Sequence, residues 1–176
     1  SKGLYSTGFG HGDALHVSDL DPTHEGLEVF GIHENKDHDP LRPGMAMYDG
    51  KTGKTLWKAA EGKDVGRGAA DDIDPTHLGA EAWGGMIADG KSRLLNSKGE
   101  DIGEAPSTAN FLVWWDGDLS RELLDGNHID KYKGGRLLTA EGCTSNNGTK
   151  STPTLSADLW GDWREEVVLR TTDNKS

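Results

Sequence analysis

A single cysteine, Cys143, stands in this 176-residue chain, so no intrachain disulfide can form, and cysteine usage neither implies nor excludes an oxidising compartment. Helical periodicity is almost absent, no apolar run approaches the length of a membrane-spanning helix, and no segment reads as a signal peptide. Hydrophobic residues make up only 33% of the chain. On its own that would suit a disordered segment, but six tryptophans and several well-separated apolar runs argue for packed structure. Positive charge is scarce too: 19 Lys and Arg stand against 30 Asp and Glu, a net charge of −11. Such a surface repels nucleic acid and anionic membranes, so neither is expected as a partner. Clustered acidic residues point instead to bound cations.

What is present is turns. With 25 glycines, short apolar or alternating runs bounded by Gly, Asp, Asn and Pro recur throughout, which predicts an all-β fold. The segment Asp19-Leu20-Asp21-Pro22-Thr23-His24-Glu25-Gly26-Leu27-Glu28 returns as Asp72-Ile73-Asp74-Pro75-Thr76-His77-Leu78-Gly79-Ala80-Glu81, identical at seven of ten positions. Weaker copies are Asp116-Gly117-Asp118 with Glu122, and Asp158 and Asp162 with Glu165 and Glu166. Their starts lie 53, 44 and 42 residues apart, the length of a four-stranded propeller blade. One blade would hold strands at Ala14 to Ser18, Leu27 to Ile32, Met45 to Tyr48 and Thr55 to Lys58, with Asp49 to Gly53 as a turn; later strands fall at Phe111 to Trp115 and Val167 to Arg170. Three to four blades fit, fewer than a closed ring needs, so the chain is expected to be part of a longer β-propeller. A β-sandwich is the competing fold.

Calcium takes six to eight oxygens, and paired aspartates followed by a glutamate on one turn can supply several of them. Asp19, Asp21 and Glu28, then Asp72, Asp74 and Glu81, and in the last copy Asp158 and Asp162, are therefore candidate ligands; Asp13 and Glu34 join them. The alternative is that these aspartates only cap their own turns. His24 and His77 are expected to decorate the turns. Other motifs do not hold. Gly8 to Gly12 lacks the third glycine of a dinucleotide fingerprint, and His33-Glu34 lacks the second histidine of a zinc-protease helix. Asn147-Gly148-Thr149 reads as a turn more readily than as a glycosylation site.

Four segments together resemble rhamnogalacturonan lyases of polysaccharide lyase family 11: Gly10-His11-Gly12-Asp13-Ala14-Leu15-His16, Asp64-Val65-Gly66-Arg67-Gly68, Ser145-Asn146-Asn147-Gly148-Thr149-Lys150 and Asp158-Leu159-Trp160-Gly161-Asp162-Trp163-Arg164-Glu165-Glu166. The resemblance implies an eight-bladed propeller, bound Ca²⁺, extracellular action, and β-elimination of the bond between rhamnose and O4 of galacturonate in rhamnogalacturonan I, an anionic plant cell-wall polysaccharide.

Such an elimination needs charge dispersal at the uronate carboxylate and a base for its C5 proton. Lys150 matches the family's segment as the base, serving where neighbouring charge and desolvation lower its pKa. Arg67 is assigned to carboxylate neutralisation, with flanking glycines leaving room for a polymer; the two could exchange roles. Asn147, Gly148, Thr149 and His11 are expected to line the substrate, and Arg164 either to do the same or to form a salt bridge with Glu165 or Glu166. Of Trp114, Trp115, Trp160 and Trp163, at least two are expected in the core. A non-catalytic, calcium-stabilised propeller that binds carbohydrate or protein is the alternative; a quinoprotein is suggested only by the turn at Asp49 to Trp57.

Overall fold

In a computed structural model, which describes residues 5–88 and 91–175, the short apolar runs become sixteen strands, with no α-helix among the described residues. None of those residues lies in a helix long and apolar enough to cross a membrane. The chain divides into two compact units, the first reaching Asp72 and taking up Thr76–Ala109, the second holding Ile73–Pro75 and the chain from Asn110 onward.

The first unit contains two four-stranded antiparallel meanders: β1 (Leu15–Ser18), β2 (Glu28–Ile32), β3 (Met45–Asp49) and β4 (Thr55–Ala59), then β5 (Ala69–Asp71), β6 (Glu81–Ala88), β7 (Lys91–Leu95) and β8 (Asp101–Glu104). Each pairs in sequence order, as tight turns dictate. The Asp49 carboxylate, for instance, accepts the Thr52 N–H at 2.5 Å and closes the β3–β4 turn. Inner strands carry the burial. Met45, Ala46, Met47 and Tyr48 are all buried, both faces of β3 being covered, and Met45 and Met47 pack with Leu20, Phe30, Ile32, Val65, Ala82 and Leu95. Fully burying a side chain such as Phe30 or Ile32 stabilises the unit by about 2–3 kcal/mol each. The edge strand β1 leaves Leu15 and Val17 exposed.

The second unit has one meander, β9 (Phe111–Val113), β10 (Glu122–Asp125), β11 (His128–Lys131) and β12 (Gly135–Thr139), around Val113, Leu124 and Ile129. After it come β13 (Cys143–Thr144), β14 (Leu155–Ala157), β15 (Glu166–Val168) and β16 (Arg170–Thr171), joined as two pairs, β13–β16 and β14–β15. The strand expected at Val167 to Arg170 is thus two strands with different partners, Val168 lying opposite Leu155 and Arg170 opposite Thr144. The strand expected at Phe111 to Trp115 stops at Val113 because the next two N–H groups leave the ladder: Trp114 donates to Glu165 Oε2 at 2.9 Å and Trp115 to Glu122 Oε2 at 2.8 Å. The architecture is all-β and antiparallel, and no sheet among the described residues closes on itself.

Candidate functional site

The repeated glutamate binds the chain's own backbone. Glu28, fully buried, accepts the N–H groups of Leu20 and Asp21 on Oε2, both at 2.9 Å, while His24 Nδ1 lies 2.8 Å from its Oε1. His24 Nε2 lies 3.3 Å from Asp49, so this histidine ties the turn to β3. Glu122 repeats the arrangement with Trp115 and Asp116, and Glu166 with Leu159 at 2.8 Å. A carboxylate receiving two N–H groups makes strong charge-assisted bonds and fixes the loop that precedes its strand.

The aspartates of these loops meet lysines. Lys98 Nζ lies 2.5 Å from Asp21 Oδ2. Burial alone would raise the Asp21 pKa, but hydrogen bonds from Lys98 and Thr23 outweigh it and hold the carboxyl below its ordinary value. In the second unit Lys133 Nζ lies 2.7 Å from the buried Asp74. Lys131 sits among three carboxylates, at 3.0 Å from Asp116, 2.5 Å from Asp118 and 2.6 Å from Glu122. Burial would lower the Lys131 pKa, yet Asp118, Glu122 and Asp116 together push it above its ordinary value. Nothing in the repeat pattern signals these lysines, which lie on other strands or turns.

Two clusters among the described residues bring three potential ligand atoms within 4.8 Å of one another: His11, Asp13 and Glu34, and Asp116, Asp118 and Glu122. The sets Asp19, Asp21, Glu28 and Asp72, Asp74, Glu81 are not so gathered; Asp19 is exposed, and Glu28 is taken up by backbone. In the last copy Asp158 accepts the N–H groups of Gly161, Asp162 and Trp163, and Asp162 accepts that of Arg164, both side chains being exposed. These aspartates shape a turn.

The His11 cluster suits a divalent cation better than the Asp116 cluster, where the Lys131 ammonium already stands among the three carboxylates and offsets part of their charge. His11 Nδ1 lies 3.5 Å from Asp13 Oδ1 and 3.7 Å from Glu34 Oε2, and the Glu34 N–H donates to the His11 carbonyl at 2.7 Å, binding the two segments together. Two carboxylates supply the hard oxygens calcium prefers. The nearby Lys36, 3.2 Å from Glu34 Oε2, is largely exposed. Its pKa is raised by the hydrogen bond and charge of Glu34, then by Asp64 and Asp13, which marks a local concentration of negative charge.

Arg67 is half-buried just before β5. Its flanking glycines differ: a Cβ on Gly66 would meet nothing within 4 Å, whereas one on Gly68 would lie 2.2 Å from Ile32 Cδ1. Gly66 leaves room for a ligand, while Gly68 is required by packing. In the second unit Lys150 ends a 3-10 turn over Gly148–Lys150, closed by the Asn146–Thr152 bridge. Asn147, Gly148 and Ser151 all have positive φ (61°, 54° and 50°), so the chain doubles back sharply and leaves Asn147, Gly148, Thr149 and Lys150 exposed. The Lys150 ammonium makes no ion pair among the described residues.

Arg164 forms neither expected salt bridge. Glu165 pairs with Arg121 at 3.4 Å and Glu166 holds Leu159, while the Arg164 guanidinium lies 5.5 Å from the ring of Trp115 and 5.4 Å from that of Trp163. Trp115 packs on the core and Trp114 is partly buried; Trp160 and Trp163 are exposed.

A cavity of about 400 Å³ in the first unit was not foreseen. Tyr5, Gly10, Gly12, Gly31, His33 and Tyr48 contribute to its wall. His33 Nε2 lies 2.6 Å from the Tyr48 hydroxyl; burial lowers the His33 pKa and pushes that of Tyr48 up to about 12. The sequence offered only His33 beside Glu34, with no sign that the two side chains diverge.

Residues 1–176 match the model of the rhamnogalacturonan lyase family 11 C-terminal domain. The chain is 56% identical over 181 aligned residues to the rhamnogalacturonan endolyase YesW of Bacillus subtilis, covering 99% of this chain and 28% of that protein. It is 50% identical to the rhamnogalacturonan exolyase YesX of the same organism, over 99% of this chain and 31% of the relative. A solved Bacillus licheniformis rhamnogalacturonan lyase superposes with a TM-score of 0.87 at 54% identity, over 98% of this chain and 29% of that one. The chain thus spans less than a third of the relatives it matches.

Proposed function

The chain belongs to rhamnogalacturonan lyase family 11, as its C-terminal domain, and from that premise we propose that it supplies the elimination machinery of an extracellular lyase acting on rhamnogalacturonan I. The observation that carries this reading is identity of 50% or more with an endolyase and an exolyase over nearly the whole chain. The scissile bond is the one between rhamnose and O4 of galacturonate. The three four-stranded meanders would serve as blades of a β-propeller completed by the rest of the protein, in keeping with the blade-length spacing of the loops.

In this reading Lys150, as its neutral amine, removes the C5 proton. Its support is an exposed side chain on a turn with positive φ at Asn147, Gly148 and Ser151, with no carboxylate among the described residues to hold it in the charged form; a bound polymer would exclude water and favour the amine. Asn147, Gly148 and Thr149 contact the sugar on the same turn. Arg67 faces the uronate carboxylate and stabilises the negative charge that grows there as the proton leaves. His11, Asp13 and Glu34 would hold Ca²⁺, the donor set that suits it best. When bound, calcium supplies further positive charge for a uronate carboxylate.

The test is a chimera in which this chain replaces the matching segment of the Bacillus subtilis endolyase. Incubated with rhamnogalacturonan I, it is expected to generate the ultraviolet absorbance of an unsaturated uronate. A folded chimera that releases saturated sugars would overturn the lyase reading in favour of hydrolysis, and one that binds the polymer but releases none would overturn it in favour of a binding module.

A further inference from the structure

We propose that the loop joining β14 to β15 is a sugar-binding subsite in which Arg164 grips a galacturonate carboxylate and Trp160 stacks on the neighbouring deoxysugar; the proposal rests on the substrate class inferred above. The arginine is built for an anion. Its guanidinium carbon lies over the rings of both Trp115 and Trp163, 5.5 Å and 5.4 Å from their centroids, so two indoles hold the cation by its weakly hydrated surface while its N–H groups remain available as donors. Every carboxylate close in sequence is committed elsewhere: Asp158 to three backbone N–H groups, Asp162 to the Arg164 N–H, Glu165 to Trp114 and Arg121, Glu166 to Leu159. The guanidinium itself has no ion pair among the described residues. An exposed guanidinium held beside two indoles, with no counterion among the described residues, suits the bidentate geometry of a carboxylate.

The stack is held at a conformational cost. Trp163 has φ of 82°, rare for a bulky side chain, and its ring lies close over Gly117, where a Cβ would come within 3.1 Å of it. Four residues before Arg164 in the chain, Trp160 is 78% exposed. An indole in water offers an apolar face to a ring with few polar groups on one side, and a 6-methyl sugar alternating with a uronate has one such ring beside each carboxylate.

Calorimetric titration of the chain with a rhamnogalacturonan I hexasaccharide, and with the same oligosaccharide after reduction of its carboxylates, tests the subsite. Arg164→Gln is expected to weaken binding of the acidic oligosaccharide about tenfold or more and to leave binding of the reduced one unchanged. Trp160→Ala should weaken both, and Arg164→Lys should restore only a minor part of the loss, because an ammonium cannot form the fork. Equal affinities in all variants, equal loss for both oligosaccharides in Arg164→Gln, or no binding by the unaltered chain would overturn the proposal. Lys150→Ala keeps the two readings apart: cleavage lost with affinity retained concerns the lyase chemistry, while the Arg164 and Trp160 affinities concern the subsite alone.

Discussion

Glu28 shows what a single residue of the repeat accomplishes. The sequence identified it through its recurrence as Glu81 and offered it as a candidate calcium ligand, with a plain turn as the alternative, because paired aspartates followed by a glutamate can supply several of the oxygens. What the sequence could not reveal was its complete burial with two backbone N–H groups on one oxygen. Replacing it by leucine strands those donors and is expected to cost roughly 3 kcal/mol in urea unfolding; a change under about 0.5 kcal/mol would mean the loop needs no such anchor. His33 makes a separate prediction. Burial lowers its pKa below the ordinary 6.5, so the unfolded chain binds the proton more readily. Stability is then full above about pH 6.5 and falls as the pH drops towards the folded pKa. His33→Phe should flatten that part of the stability–pH curve, and an unchanged slope in the variant would assign it to other groups.

Among elements, the strands of the first meander were legible to within a residue or so, since apolar alternation and Asp-Gly turns determine them locally. The later ones were less so. The division of Val167 to Arg170 depends on two different partner strands, β14 and β13, and the early end of β9 on carboxylates from elsewhere in the chain. The acidic loops teach the same lesson about ions. Lys131, on β11, stands among the three carboxylates of the Asp116 loop, and no local pattern announces it. Lys131→Met should therefore lower stability by about 2–3 kcal/mol, allowing for partial solvent exposure, and millimolar calcium should recover part of that loss in the variant but not in the parent loop. Recovery that is absent from the variant would show that these carboxylates do not accept a metal. For the His11 cluster, chelation is expected to lower the melting temperature of the unaltered chain but not of Glu34→Gln; equal shifts in both would move calcium away from Glu34.

For the whole molecule, the sequence carried the family and the all-β class, because motif order survives in a linear reading. The proposed propeller ring draws on the more than two-thirds of the relatives' length that this chain does not span. Arg67 and Lys150 fall in different units, so their joint action on one sugar is a property of the assembled protein and belongs to an assay of it. The most direct test compares the endolyase chimera with its Lys150→Ala and Lys150→Arg forms, following unsaturated-uronate formation and oligosaccharide affinity together. A loss of turnover of about a hundredfold or more in Lys150→Ala, with affinity nearly unchanged, is the predicted result; turnover within a few-fold of the parent would contradict the assignment of Lys150 as the base.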